Sequence, residues 1–151
     1  MNKFMCRRYL LFCVSLFVNA LGIAFITKAA LGTSPITSVT YVLSMFTPFT
    51  IGQWTILLNL LFVILELFLM TREDLRSDLR MYLLQIPISF CFGMFIDLCM
   101  HYILFWLNPV GYVYMIVALL IGCVILAVGI ALEVKANAAM MAGEYFVKVI
   151  P

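Results

Sequence analysis

Charge is scarce in this sequence: only 11% of its 151 residues are Asp, Glu, Lys or Arg, and there is a single histidine. Soluble domains carry about 25% charged residues, so a chain so poor in charge and 66% hydrophobic has too little polar surface to cover a water-facing globule. Also missing are the signatures of common chemistry. There is no Gly-rich phosphate loop, no GxSxG or HExxH, no dinucleotide fingerprint, and no CxxC among the five cysteines at 6, 13, 91, 99 and 123. Those absences argue against an enzyme, a metal site or a bound cofactor. The odd cysteine count argues for reduced, packing thiols rather than a disulfide framework. A net charge of +2 gives no reason to invoke nucleic acid.

What is present is apolar sequence in long runs. Four stretches, 9–26, 51–70, 81–107 and 109–132, are long enough to cross a hydrocarbon layer about 30 Å thick, which takes about 20 helical residues. None alternates with a period of two, so helices rather than barrel strands are expected. The expected fold is all-α, a polytopic helical protein in a lipid bilayer with about four spans. Between the first two spans lies GTSPITSVTYVLSMFTP, shorter and rich in hydroxyls. If it does not cross, Lys3, Arg7, Arg8, Arg72, Arg76, Arg80, Lys135 and Lys148 share one side and only Lys28 lies on the other. The positive-inside rule prefers that arrangement, with a cytoplasmic N-terminus and a short re-entrant or interfacial helix after the first span. The basic start followed by an apolar run has the look of a signal sequence, but the run exceeds the usual h-region of about 7 to 15 residues and reads as a retained span.

The chain also repeats itself. ALGIAFITKA at 20–29 returns as AVGIALEVKA at 127–136, an offset of 107 that matches Ala20, Gly22, Ile23, Ala24, Lys28 and Ala29. In the expected topology the copies end spans that run in opposite directions, which makes an inverted repeat, the architecture of many secondary transporters. Small residues that let helices approach closely would leave the same trace. The single membrane domain, 1–151, then divides into a first unit, 9–107, and the start of a second, 109–151. Adding the offset to Leu107 places the end of a complete second unit near 214, so the second copy reads as incomplete.

NALGIAFITKAALGTSPITSVTYVLS, LQIPISFCFGMFIDL and GCVILAVGIALEVKANAAMMAGE together resemble the YczE/YitT-like group of bacterial multi-pass membrane proteins, over nearly the whole chain. The GTSP and FGMFIDL stretches are the more specific pieces. The resemblance implies a protein of the bacterial inner (plasma) membrane with relatives longer than this chain. Where those relatives carry a proline before the second Gly-Glu, Ala142 stands here.

The candidate site residues follow from chemistry inside a membrane. Ser34 or Thr33 can cap a helix that starts at Pro35, and Ser34, Thr37, Ser38, Tyr41 and Ser44 then share a face that could receive an anion or a polar solute. The same hydroxyls could instead bond back to their own helix. Asp97 and His101, four apart, suit a proton relay or a hydrogen bond between helices. Lys28 and Lys135, with Glu133, Asn137 and Glu144, could guard entrances to a shared substrate site, or snorkel to the interface. The expected function is a permease or transporter of a small polar or anionic solute; the alternative is a non-transporting membrane protein that regulates or scaffolds a partner. Homo-oligomerisation is compatible with either.

Overall fold

A computed structural model describes residues 3–69, 72–107 and 110–136. Among these the protein is all-helical: α1 (Lys3–Lys28), α2 (Pro35–Phe46), α3 (Ile51–Leu69), α4 (Arg72–Leu98), a π-helical turn (Cys99–Ile103) and α5 (Tyr112–Ala136). Four helices are long and apolar enough to span a membrane, over Arg7–Lys28, Ile51–Phe68, Leu84–Ile103 and Tyr112–Ala136. The protein is therefore membrane-embedded. Two expected boundaries move. REDLRSDLR, at 72–80, is the beginning of α4 rather than a connection between spans, and the third apolar run stops being an α-helix at Leu98.

α1 lies at the centre, with α5 along one side and α4 along the other; α3 packs on α4, and α2 on α3. Half of the α1 span is buried, whereas most of α5 faces outward. The core follows that layout: Phe12, Leu16, Ala20 and Ala24 of α1 meet Phe92, Ile96 and Cys99 of the α4 arm, with Leu104 and Ala136 closing the ends. Outward faces are large and apolar, as with Phe46, Phe68 and Val124, because lipid and not water lies beyond them.

Directions follow from contacts. α1 and α5 are antiparallel: Gly22 abuts the Leu126 backbone, and Gly122 abuts Phe25 and Ile26. α3 and α4 are antiparallel too, since Gly52 meets Gly93 while Thr50 bonds Asp97. Phe25, near the end of α1, shares an apolar groove with Trp106, Leu107 and Tyr114, so α1 ends where α4 ends and α5 begins. α3 also starts at that end. The chain thus leaves α1 and enters α3 on one side of the bundle, and the 12-residue α2, about 18 Å long, does not cross between them.

The two motif stretches have structural explanations. In GTSP, Gly32 takes a φ of 147° that a side chain would resist, Ser34 caps α2 by accepting from the Thr37 amide at 3.3 Å, and Pro35 occupies the first turn. In FGMFIDL, Gly93 lets α3 approach and Asp97 caps it. The Asp97 carboxylate accepts from Thr50 Oγ1 at 2.6 Å and from the Gly52 amide at 3.0 Å. Thr50 and Gln53 complete a reciprocal capping box, Thr50 N donating to Gln53 Oε1 and Gln53 N to Thr50 Oγ1.

Candidate functional site

Between α1 and α5 the positions 15, 19, 22 and 26 face 122, 126, 129 and 133, each set at the four-three-four spacing of one helix face. Seven of these eight residues are buried, and Leu126 is half-buried. Glycine makes the approach possible. A Cβ on Gly22 would lie 2.8 Å from the Leu126 backbone nitrogen, and one on Gly129 would overlap the side chain of Asn19. Under the 107-residue offset Gly22 becomes Gly129 and Leu126 becomes Asn19, so these are the same contact made twice.

One pair breaks that equivalence. Asn19 Nδ2 donates to Glu133 Oε2 at 2.7 Å, with the two side chains only 1% and 4% exposed. Their offset equivalents are Leu126 and Ile26. Asn19 stands twelve residues after Arg7 and nine before Lys28 in the α1 span, about 18 Å and about 13 Å from its ends. Glu133 therefore carries its carboxyl back along α5 to near the middle of the membrane, where Asn19 meets it. Asn19 Oδ1 points at Gly129 and has no hydrogen-bond donor among the described residues. Beside the pair, Ser15 is wholly buried and bonds its own helix at Phe12 O, 2.7 Å away. Arg8 Nε donates to Ala136 O at 3.0 Å, a second bond from α1 to α5.

More buried polar groups lie on α3 and α4. Asn59 and Glu66 of α3 and Gln85 and Ser89 of α4 are all under 9% exposed, and neither polar atom of the Gln85 side chain finds a partner among the described residues. An intramembrane ionisable or amide side chain is costly, which makes these residues candidates for function.

The other candidates from the sequence are distributed differently. Ser38, Thr40, Ser44 and Thr47 of α2 all bond carbonyls of their own helix, at Pro35, Thr37, Tyr41 and Leu43, and Ser34 and Thr37 share a hydrogen bond at 2.8 Å. Tyr41 is half-buried. Apart from Tyr41, the hydroxyls of the stripe are thus locally occupied. Asp97 uses both oxygens to cap α3, while His101 is exposed within the π-helical turn. Lys28, half-buried, and Lys135, exposed, stand at opposite ends of the bundle and away from the Asn19 contact. Asn137 and Glu144 lie outside the described residues. Among the described residues no cluster of metal-ligating side chains occurs.

Sequence reading reached Glu133 but missed Asn19, Gln85 and Asn59. A signal was present: Glu133 against Ile26 is a mismatch inside the repeated window, and Asn19 against Leu126 is a mismatch at its edge. Where a repeat departs from itself by replacing an aliphatic residue with a polar one, packing alone does not explain the choice.

The chain belongs to a family of unknown function, DUF6198, which it matches over residues 6–151. The match carries no link to the YczE/YitT-like group. No curated protein and no solved structure matches the chain.

Proposed function

We propose that this DUF6198 member is a permease that moves a small polar solute across the bacterial inner membrane, with its N-terminus in the cytoplasm. The observation that carries the reading is the Asn19–Glu133 pair, a hydrogen-bonded amide and carboxyl buried near mid-membrane in the seam between the two copies of the repeat. In transporters built from inverted repeats the substrate site sits at such an interface. The offset-related contacts of Gly22 and Gly129 support an inverted repeat whose first helices, α1 and α5, are the facing elements.

Energetics support a functional role over a structural one. A hydrogen bond between membrane helices is worth about 0.6 kcal/mol on average, whereas a charged side chain at a helix centre costs about 2.5 to 3.5 kcal/mol to insert. The offset-equivalent positions in the same seam carry the aliphatic residues Leu126 and Ile26. The chemistry also narrows the solute: a carboxyl at the site disfavours an anion, and the α2 hydroxyls, occupied by their own helix, offer no anion cradle. A neutral or cationic polar solute fits best. The charge asymmetry of the chain supports the cytoplasmic N-terminus.

The test is uptake into vesicles containing the purified full chain, with a panel of radiolabelled neutral, cationic and anionic small solutes. Uptake of at least one neutral or cationic solute, abolished in Glu133→Gln, is expected. No flux for any member of the panel, or flux indifferent to Glu133→Gln, contradicts the permease reading and favours a membrane protein that regulates a partner.

A further inference from the structure

We propose that Glu133 is a membrane-buried proton-binding site and that Asn19 is the positioning residue that serves both of its charge states. As a route of coupling the inference rests on the permease reading; as a statement about the carboxyl it stands alone. The asymmetry of the seam motivates it. Ser15, Asn19, Gly22 and Ile26 face Glu133, Gly129, Leu126 and Gly122, and only the Asn19–Glu133 combination introduces a titratable group where the equivalent pair is aliphatic.

A residue that gains and loses a proton while buried needs a partner for each form, because an unsatisfied polar atom in an apolar interior costs about 1 to 3 kcal/mol. A side-chain amide is such a partner. Its NH2 donates to a carboxylate, and its carbonyl accepts from a carboxylic acid. In the structure Nδ2 faces Glu133 Oε2 at 2.7 Å, the arrangement suited to an accepting oxygen, while Oδ1 rests over Gly129 without a donor among the described residues. Gly129 matters to this chemistry. Having no side chain, it leaves a place where either end of the amide can rest, so a half-turn of the Asn19 amide exchanges the two arrangements.

The proton balance is simple. Glu133 takes one proton from water on the side to which the seam is open, becomes a neutral acid that donates to Asn19 Oδ1, and returns the proton to water on the other side; the Glu133 carboxylate is regenerated and Asn19 turns back. α1 is the helix packed against this part of α5. Among the described side chains, the other charged groups that the two helices bring to this end are Arg7 and Lys135, both exposed, and Arg8, whose Nε donates to Ala136 O.

The test is infrared difference spectroscopy of the full chain in lipid vesicles, taken between alkaline and acidic buffer. It needs no solute, so it fails or succeeds separately from the flux assay. The parent is expected to gain, on acidification, the carbonyl stretch of a buried protonated carboxyl. Glu133→Gln is expected to lose that band. Asn19→Leu, which removes the acceptor, is expected to keep the band and shift it to higher frequency, an effect that a merely structural Asn19 does not produce. A band of equal size in the parent and in folded Glu133→Gln overturns the proton site. If Glu133→Gln does not fold, Asn19→Leu decides: an unshifted band, or no band in the parent, overturns the proposal.

Discussion

The α1–α5 seam and the α3–α4 seam use one packing device for two purposes. Both are antiparallel, both are brought together by glycines whose missing Cβ atoms would strike the opposing helix, and both hold a carboxyl. In the α3–α4 seam Asp97 acts locally. Thr50 and the Gly52 amide occupy its oxygens, and it completes the start of α3 at the edge of the bundle. In the α1–α5 seam Glu133 bonds across to a side chain of the facing helix. It lies a turn inside α5, reaches toward mid-membrane, and meets an amide that has no donor for its own oxygen among the described residues. A carboxyl with a structural role can be recognised by the helix end it satisfies. One that meets a buried amide on a facing helix is the better candidate for function.

The comparison can be broken first at the glycines. Gly52→Val places a Cβ against the Gly93 carbonyl and the Asp97 carboxyl, and Gly129→Val places one against the Asn19 side chain. Backbone opposes the first and a side chain the second, so Gly52→Val is expected to be the more damaging. The loss should reach or exceed the upper part of the about 1 to 3 kcal/mol range for overpacking, seen as a lower thermal unfolding midpoint in detergent. Equal midpoints would show that the α3–α4 crossing yields more than its geometry suggests.

Asp97→Ala comes next. Removing the cap leaves Thr50 and the first amides of α3 without their acceptor, at a cost of about 1 kcal/mol, up to about 2. Thermal unfolding should show that loss, with Asp97→Asn recovering part of it. A smaller effect is expected at His101, which is exposed: His101→Ala should change stability by no more than about 0.5 kcal/mol, and by the same unfolding measurement a relay or ligand role for His101 would be indicated only if solute flux also fell.

Much of the fold was legible in the sequence because a membrane imposes length and composition directly. The four spans and the GTSP helix start are read from apolar runs, a serine and a proline, and α2 was expected not to cross because the alternative would scatter the arginines. The start of α4 was not legible: REDLRSDLR is too polar to read as part of a span, yet helix propagates through it. Nor was the π-helical turn at Cys99, which lies inside an unbroken apolar run. The site was half legible. Glu133 could be singled out as a charge in an apolar stretch, but whether it snorkels to water or turns inward depends on which face of α5 meets α1, a tertiary fact. The α2 hydroxyls form a clear stripe in the sequence, and only the folded helix reveals that Ser38 and Ser44 bond its own carbonyls while Ser34 and Thr37 bond each other.

The most direct test replaces the polar pair by the residues that stand at the equivalent positions in the same seam, giving the double variant Asn19→Leu with Glu133→Ile. If the pair is retained for function rather than folding, this chain should insert normally and unfold within about 1 kcal/mol of the parent, or later, as buried ion-bearing pairs replaced by apolar residues often do, while solute uptake into vesicles is lost. A double variant that fails to insert or unfolds several kcal/mol earlier, or one that still transports, would contradict the assignment of Asn19 and Glu133 as the functional centre of this protein.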